Sequence, residues 1–303
     1  SKELGYANYS PKTVDLVKNI SLSTLKRIIS SFPKLSHKKH KGKCNLYRAI
    51  TQRADFGKYA SKSPGYIEID YVEHKGESNF SPFAITGNYT DIYSQWIARA
   101  AGLGKNRASI EEIDKEAMKK FMFSVKECHP DNEKTILRYL YNQIKEGKAN
   151  FSLSRSRPYK KNDNAHVEQK NGDKIRKLVG YHRYETEYQV YLLNRIYAAS
   201  DLIDNFFIPS MKLKAKIKDE KGRTLHRIYE KAKTPYKRIM ESGKVPQKYK
   251  KELRETYERL NLVELRKELN GLLEKLQESI GGRRRKDFTD KINELIRSKE
   301  ETK

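Results

Sequence analysis

The sequence predicts a multidomain α/β protein whose central part is a mixed five-stranded sheet flanked by helices. Residues 66–74, YIEIDYVEH, alternate with a period of two, and two more strand-like stretches follow at 80–96 and 97–103. Helical and strand-like segments then take turns as far as residue 156. Leading strands followed by this alternation describe a sheet with both antiparallel and parallel pairs. A chain of 303 residues has room for two or three domains with a sizeable core.

Residues 11–32 contain two short amphipathic stretches separated by ISLS. Ser21 or Ser23 can cap the second, with Leu25, Ile28 and Ile29 on its inner face and Lys26, Arg27 and Ser30 outside. This reads as a helix-turn-helix with Lys26 and Arg27 facing DNA, although a plain helical hairpin fits the same pattern. The basic run PKLSHKKHKGK (33–43) is a linker suited to phosphate contacts, or a solvated loop.

In the first strand Tyr66, Glu68, Asp70 and Val72 share one face and Ile67, Ile69 and Tyr71 the other. The next two strands are expected to be linked by a turn around Gly87 and Asn88. Residues 110–123 are helical, KECHPDN (126–132) ends a short segment, 133–144 are helical, and 150–156 form a short strand. Asn162 to Asn164 can start a helix that runs through Val179.

In 211–230, Leu213, Ala215 and Ile217 alternate with lysines, and turn residues lie at Asp219 to Gly222. A basic hairpin follows, in keeping with a small barrel. Beyond Pro246 the chain is helical, with a capping box at Asn261 and Glu264. Leu262, Leu265, Leu269, Leu272 and Leu276 form a seam barely over two heptads long, which packs within its own chain more readily than it dimerises. The expected regions are 1–45, helical and DNA-binding; 60–200, the sheet core; 205–240, basic and β-rich; and 246–303, helical.

Sixty-four Lys and Arg against 39 Asp and Glu give a net charge of +25, a field that suits a polyanion. Double-stranded DNA is the leading partner. An anionic membrane surface fits poorly, because the basic residues are not gathered on one amphipathic helix with a bulky apolar face. No apolar run is long enough to span a bilayer, and SKELGYANYS lacks a signal-peptide core. The chain starts at Ser1, which leaves room for an upstream segment. Cys44 and Cys128 form neither a CxxC pair nor a disulfide framework, so a reducing compartment is expected.

Three acids stand out by context: Asp70 in the first strand, Asp131 in HPDN, and Glu168 in NDNAHVEQKN. Phosphoryl transfer needs no protein nucleophile if carboxylates hold two divalent cations about 3.5 to 4 Å apart, one activating the attacking oxygen and one stabilising the leaving oxygen. Oxygen ligands favour magnesium or manganese, and the lack of a His/Cys cluster disfavours zinc. Each acid alone also fits an ordinary role, as a turn residue, a cap or a dipole-compensating helix residue.

The surrounding words decide between these readings. PGYIEIDYVEH (64–74), YTDIYSQW (89–96), CHPDN (128–132) and SRSRPYKKNDNAHVEQKN (154–171) resemble the insertion-sequence transposases with a retroviral-integrase-like core. GYHRYET (180–186), LNRIY (193–197), NFFIPSMKL (205–213) and KTPYKRI (233–239) extend the resemblance, which covers roughly 60–240. It implies a ribonuclease-H-like fold in which Asp70, Asp131 and Glu168 are catalytic and bind two Mg2+ or Mn2+ ions. It also implies transposon-end and target DNA as partners, a homodimer or higher synaptic oligomer, accessory transposition proteins and a prokaryotic, nucleoid-associated cytoplasmic setting.

Arg155, Arg157, Tyr159, Lys160 and Lys161 precede the Glu168 helix and are expected DNA contacts, as are Gln169, Lys170 and Asn171. His129 and His166 flank the acids without metal-pair spacing and read as structural. The family usually has His-Ser-Asp-Asn-Gly around the second acid, whereas this chain has HPDNE. If that glycine needs positive φ or close DNA approach, Glu133 distorts the site or repels phosphate. The competing readings are a transposase-derived DNA-binding protein without activity, a simple metal-dependent nuclease and a tyrosine recombinase. The carboxylate motifs outweigh the last.

Overall fold

The computed structural model describes residues 10–31, 45–53, 56–78, 80, 82–156, 171–219 and 223–280. The chain divides into two compact units, Ser1–Asn45 and Leu46–Lys303. In the first, α1 (Pro11–Lys18) and α2 (Leu22–Ser31) are the two expected helices. Ser21 caps α2, its Oγ accepting from Thr24 N at 3.2 Å. Leu25 and Ile28, which periodicity places on an inner face, are exposed.

The second unit is built on a six-stranded mixed sheet with strand order β1-β6-β5-β2-β3-β4. Its strands are β1 (Thr51–Gln52), β2 (Tyr66–Glu73), β3 (Ala84–Asp91), β4 (Ile97–Leu103), β5 (Glu127–Pro130) and β6 (Ser152–Arg155), and the short helices α3 (Asn45–Ala49) and α4 (Phe56–Ala60) precede and follow β1 in the chain. β2, β3 and β4 pair antiparallel, whereas β5 pairs parallel with β2 and β6 parallel with β5. β1 is an edge strand beyond the five that the sequence predicts, too short to carry a period. β5 is only four residues long, so KECHPDN shows no alternation, yet it is fully buried between β2 and β6.

Helices cover both faces, each burying one of the two side-chain rows of the strands. Ile67 and Ile69 belong to a core with Ile110 and Ile113 of α5 (Arg107–Met118) and Ile136 and Leu140 of α6 (Lys134–Lys145). α5 begins three residues before the predicted start because Asn106 caps it, accepting from Ser109 N at 3.1 Å. It stops at Met118, short of the predicted residue 123.

The opposite core joins Val72, Ala84 and Ala101 to α7 (171–179) and α8 (Glu187–Phe206). Leu269, Leu272 and Leu276 of α11 (262–280) complete it, so the leucine seam packs within its own chain. α8 starts on a capping box formed by Thr186 and Gln189. The segment 157–170, including the predicted start of α7, lies outside the described residues.

The turn expected at Gly87 and Asn88 is not there: both lie inside β3, opposite Tyr71 and Asp70 of β2. A Cβ on Gly87 would meet Ile113 Cγ2 at 2.5 Å, so the glycine permits α5 to approach the sheet closely. The chain instead reverses at 92–96, organised by the buried Asp91 carboxylate. Asp91 accepts from Gly65 N (2.8 Å), Tyr66 N (3.2 Å), Ser94 N (2.8 Å) and Ser94 Oγ (2.5 Å).

The basic hairpin forms as β7 (Leu213–Lys218) and β8 (Thr224–Tyr229). Among the described residues these strands pair only with each other, so no barrel is built. Two further helices follow, α9 (Pro235–Glu241) and α10 (Gln247–Arg259).

Candidate active site

β2 and β5 run parallel with Ile69 opposite Pro130, so the next step along each chain brings Asp70 beside Asp131. Neighbouring strands lie about 4.8 Å apart, which puts both carboxylates on adjacent backbone positions of a rigid sheet. Pro130 has no N–H to extend the ladder, and Asp131 follows directly after β5.

Both carboxylates are oriented. Asp70 Oδ1 accepts from Tyr71 N at 2.8 Å and Oδ2 from Asn171 Nδ2 at 2.7 Å. Asn171 Oδ1 in turn accepts from Asn88 Nδ2 at 2.6 Å, and Asn88 is the cross-strand partner of Asp70. This chain fixes which end of the Asn171 amide faces Asp70. Asp131 Oδ1 accepts from Glu133 N at 2.9 Å, closing a turn at the start of α6.

Glu133 occupies the N-cap position of α6 with φ −69°, a conformation open to any residue. Its carboxylate pairs with Lys105 at 2.7 Å, and Lys105 also meets Glu73 at 2.9 Å. The departure from glycine at this position therefore strains neither the backbone nor the local charge balance.

Arg155 is part of the same framework. Its guanidinium donates to Asn132 Oδ1 (2.9 Å) and the Tyr47 carbonyl (3.0 Å) and lies over the Tyr47 ring. Tyr47 OH donates to the Asn132 carbonyl at 3.0 Å, so both residues brace the turn after Asp131. His129 is buried, stacks on Phe56 with centroids 4.1 Å apart, and shares a 2.7 Å hydrogen bond between Nδ1 and Ser154 Oγ.

Lys26 and Arg27 are exposed on α2. Glu168, Arg157, Tyr159, Lys160, Lys161, Gln169 and Lys170 lie outside the described residues. Of the expected DNA contacts, Arg155 and Asn171 are thus engaged with the turn and with Asp70.

Sequence reasoning passed over the anchor of α7. Arg99 on β4 is fully buried, pairs with Asp201 (2.7 Å) and Asp204 (3.0 Å), and donates to the Lys174 carbonyl. Lys174 reaches Asp204 at 2.6 Å and Lys120 reaches Asp201 at 2.7 Å. Burial opposes the charge on Arg99, but the two aspartates outweigh it and raise its pKa. Arg176 adds a 2.8 Å bond to the Glu73 carbonyl. The one available signal was a lone arginine in the apolar strand IARAAGL.

No group of three or more His, Cys, Asp or Glu arranged to hold a metal occurs among the described residues. Asp70 and Asp131 supply two adjacent oxygen donors, a set whose chemistry fits a hard divalent cation such as magnesium or manganese.

No protein-family model matches the sequence. The uncharacterized protein y4rM of Sinorhizobium fredii is 29% identical over 217 residues, 70% of this chain and 61% of that protein. The chain thus spans about three fifths of the length of this relative.

Among solved structures, the chain is similar to retroviral integrases. For the simian T-cell lymphotropic virus intasome in complex with PP2A regulatory subunit B56 gamma, the identity is 11%, covering 58% of this chain and 55% of that one, with TM-score 0.37. For the magnesium-bound HTLV-2 integrase catalytic core the values are 12%, 54%, 95% and 0.36. For the BIV integrase catalytic core they are 12%, 54%, 91% and 0.30. No helix among the described residues is long and apolar enough to cross a membrane.

Proposed function

We propose that the chain is a DNA transposase that cleaves phosphodiester bonds at transposon ends and joins the freed 3′-hydroxyl to target DNA by in-line phosphoryl transfer. One observation carries the reading: Asp70 on β2 and Asp131, the residue directly after the parallel strand β5, stand side by side, each with an oxygen held by a backbone N–H. Two like charges held next to each other repel, which is costly to keep for stability alone, and fixed carboxylates suit a site that must not reorganise.

Asp70, Asp131 and Glu168 would hold the metal. Two bound divalent cations would supply activation of the attacking oxygen and neutralisation of the leaving one. The chain itself supplies orientation. Asn171, locked by Asn88, holds Asp70 Oδ2 in place, and Arg155 with Tyr47 holds the turn that carries Asp131. Arg157, Tyr159, Lys160, Lys161, Gln169 and Lys170, with Lys26 and Arg27 on α2, would bind the phosphates of transposon-end and target DNA. A dimer or larger synaptic assembly would bring two ends together, with accessory proteins assisting.

The second reading is a transposase-derived DNA-binding protein without activity. The pairing of Glu133 with Lys105 and its unstrained backbone favour the enzyme, because the departure from glycine disturbs neither. A strand-transfer assay with Mg2+ or Mn2+ separates the two. Joined products from the wild type, lost in Glu168→Gln, support the transposase. Identical background from both proteins while both still bind DNA supports the inactive reading.

A further inference from the structure

A groove of about 650 Å³ opens between α5, α6 and the loops at 121–125 and 148–151. Its lining includes Asp114, which is only 7% exposed. Asp114 Oδ1 accepts from Tyr89 OH at 3.0 Å and Oδ2 from Tyr139 OH at 3.2 Å. The groove's lysines are engaged elsewhere, Lys115 with Glu111 at 2.9 Å and Lys148 with Glu146 at 2.7 Å. Among the described residues Asp114 therefore has two phenolic donors and no cation.

The walls are aromatic. Phe121, Phe123 and Phe151 line the groove, the first two meeting edge to face at 5.6 Å. A largely buried carboxylate in an aromatic-lined groove is a setting that favours a cation. Each Asp114 oxygen keeps a lone pair beyond its phenol, so the group presents two parallel acceptors, which match a guanidinium fork better than an ammonium. Lys115, Lys148 and Asn150 of its lining are exposed, so the groove reaches the surface, which suits a side chain delivered on a backbone rather than a free small molecule.

We propose that this groove is a docking site for a partner protein segment that inserts an arginine, flanked by apolar residues, onto Asp114. The site is separate from Asp70 and Asp131 and stands whether or not the chain transfers phosphoryl groups. Burial pushes the Asp114 carboxyl up to about 6, so at neutral pH it is mostly ionised and available to the cation.

The test is fluorescence anisotropy of the full chain with a labelled acetyl-Leu-Arg-Phe-amide peptide and its citrulline isostere, which keeps the shape and removes the charge. The net charge of +25 repels a cationic peptide overall, so binding of the arginine form reports a local site. The expected result is saturable binding of the arginine peptide, about tenfold weaker for citrulline, with the difference abolished in Asp114→Asn.

Phe151→Ala should weaken the arginine peptide with Asp114 intact, and it keeps the test open if Asp114→Asn misfolds. Folding of each variant is read from the emission of Trp96, which packs edge to face on Phe123 at 6.2 Å. Equal binding of the two peptides, or no saturation below about 1 mM, overturns the proposal. Free N-acetylarginine amide competing as strongly as the peptide overturns the protein segment as occupant.

Discussion

Asn171 Nδ2 donates to Asp70 Oδ2 at 2.7 Å, across 101 residues of sequence, and ties the start of α7 to the middle of β2. An asparagine expected as a DNA contact thus also orients a carboxylate.

Asn171→Ala should therefore lower metal affinity by about 10- to 100-fold, the usual cost of removing a group that orients a ligand. Electron paramagnetic resonance of free Mn2+ measures this without any assay of activity. Asp70→Asn is the control. If that variant binds Mn2+ as tightly as the wild type, the metal assignment is wrong. If only Asn171→Ala is silent, the orienting role alone is lost.

Arg99→Ala should cost about 3–5 kcal/mol, because it leaves Asp201 and Asp204 without their buried cation. Urea denaturation followed by circular dichroism gives the value. A loss below about 1 kcal/mol would mean that Lys120 and Lys174 suffice to compensate both acids.

Gly87→Ala places a methyl group 2.5 Å from Ile113 Cγ2. Overpacking of this kind costs about 1–3 kcal/mol, read as a lower urea midpoint at unchanged slope. The same substitution at Gly147, where a Cβ would meet nothing within 4 Å but φ is +69°, tests backbone strain alone.

Asp114 gives the stability a defined pH dependence. Its carboxyl is raised from 3.8 to about 6 by burial, partly opposed by the Tyr89 and Tyr139 hydroxyls. A raised acid favours the folded state while protonated. The stabilisation is full below pH 3.8 and is lost as pH rises through about 6, amounting to about 3 kcal/mol for a shift of this size. Asp114→Asn should flatten the pH profile of stability across that window. An unchanged slope would assign it to other groups.

Leu276→Ala should destabilise by about 2–5 kcal/mol, since Leu276 is 3% exposed against the α8 core. Sedimentation should show no change in oligomeric state, because this seam is filled within the chain.

The period-two run at 66–74 identified β2 and correctly divided its faces, because one row packs on α5 and α6 and the other on α7 and α8. The leucine seam was legible for the same reason: period reports which face is buried. The motifs around Asp70 and Asp131 singled out two residues that the β2–β5 register brings side by side. β5 itself was not legible, since four residues containing His and Pro display no period. Gly87-Asn88 looked like a turn because the same glycine that permits a reversal also permits a helix to sit close to a strand. The intramolecular partners of Arg155 and Asn171 were not legible, because nothing in a linear string tells that a polar side chain faces a residue one hundred positions away.

The helix at 171–179 is held at Asn171 by Asp70, at the Lys174 carbonyl by Arg99 and at Arg176 by the Glu73 carbonyl. Two positions of β2 and one of β4 thus fix its rotation and its height above the sheet. Three anchors within a six-residue stretch leave it little freedom to turn or slide independently of the sheet. A change in the buried charges around Arg99 would therefore be felt at Asp70.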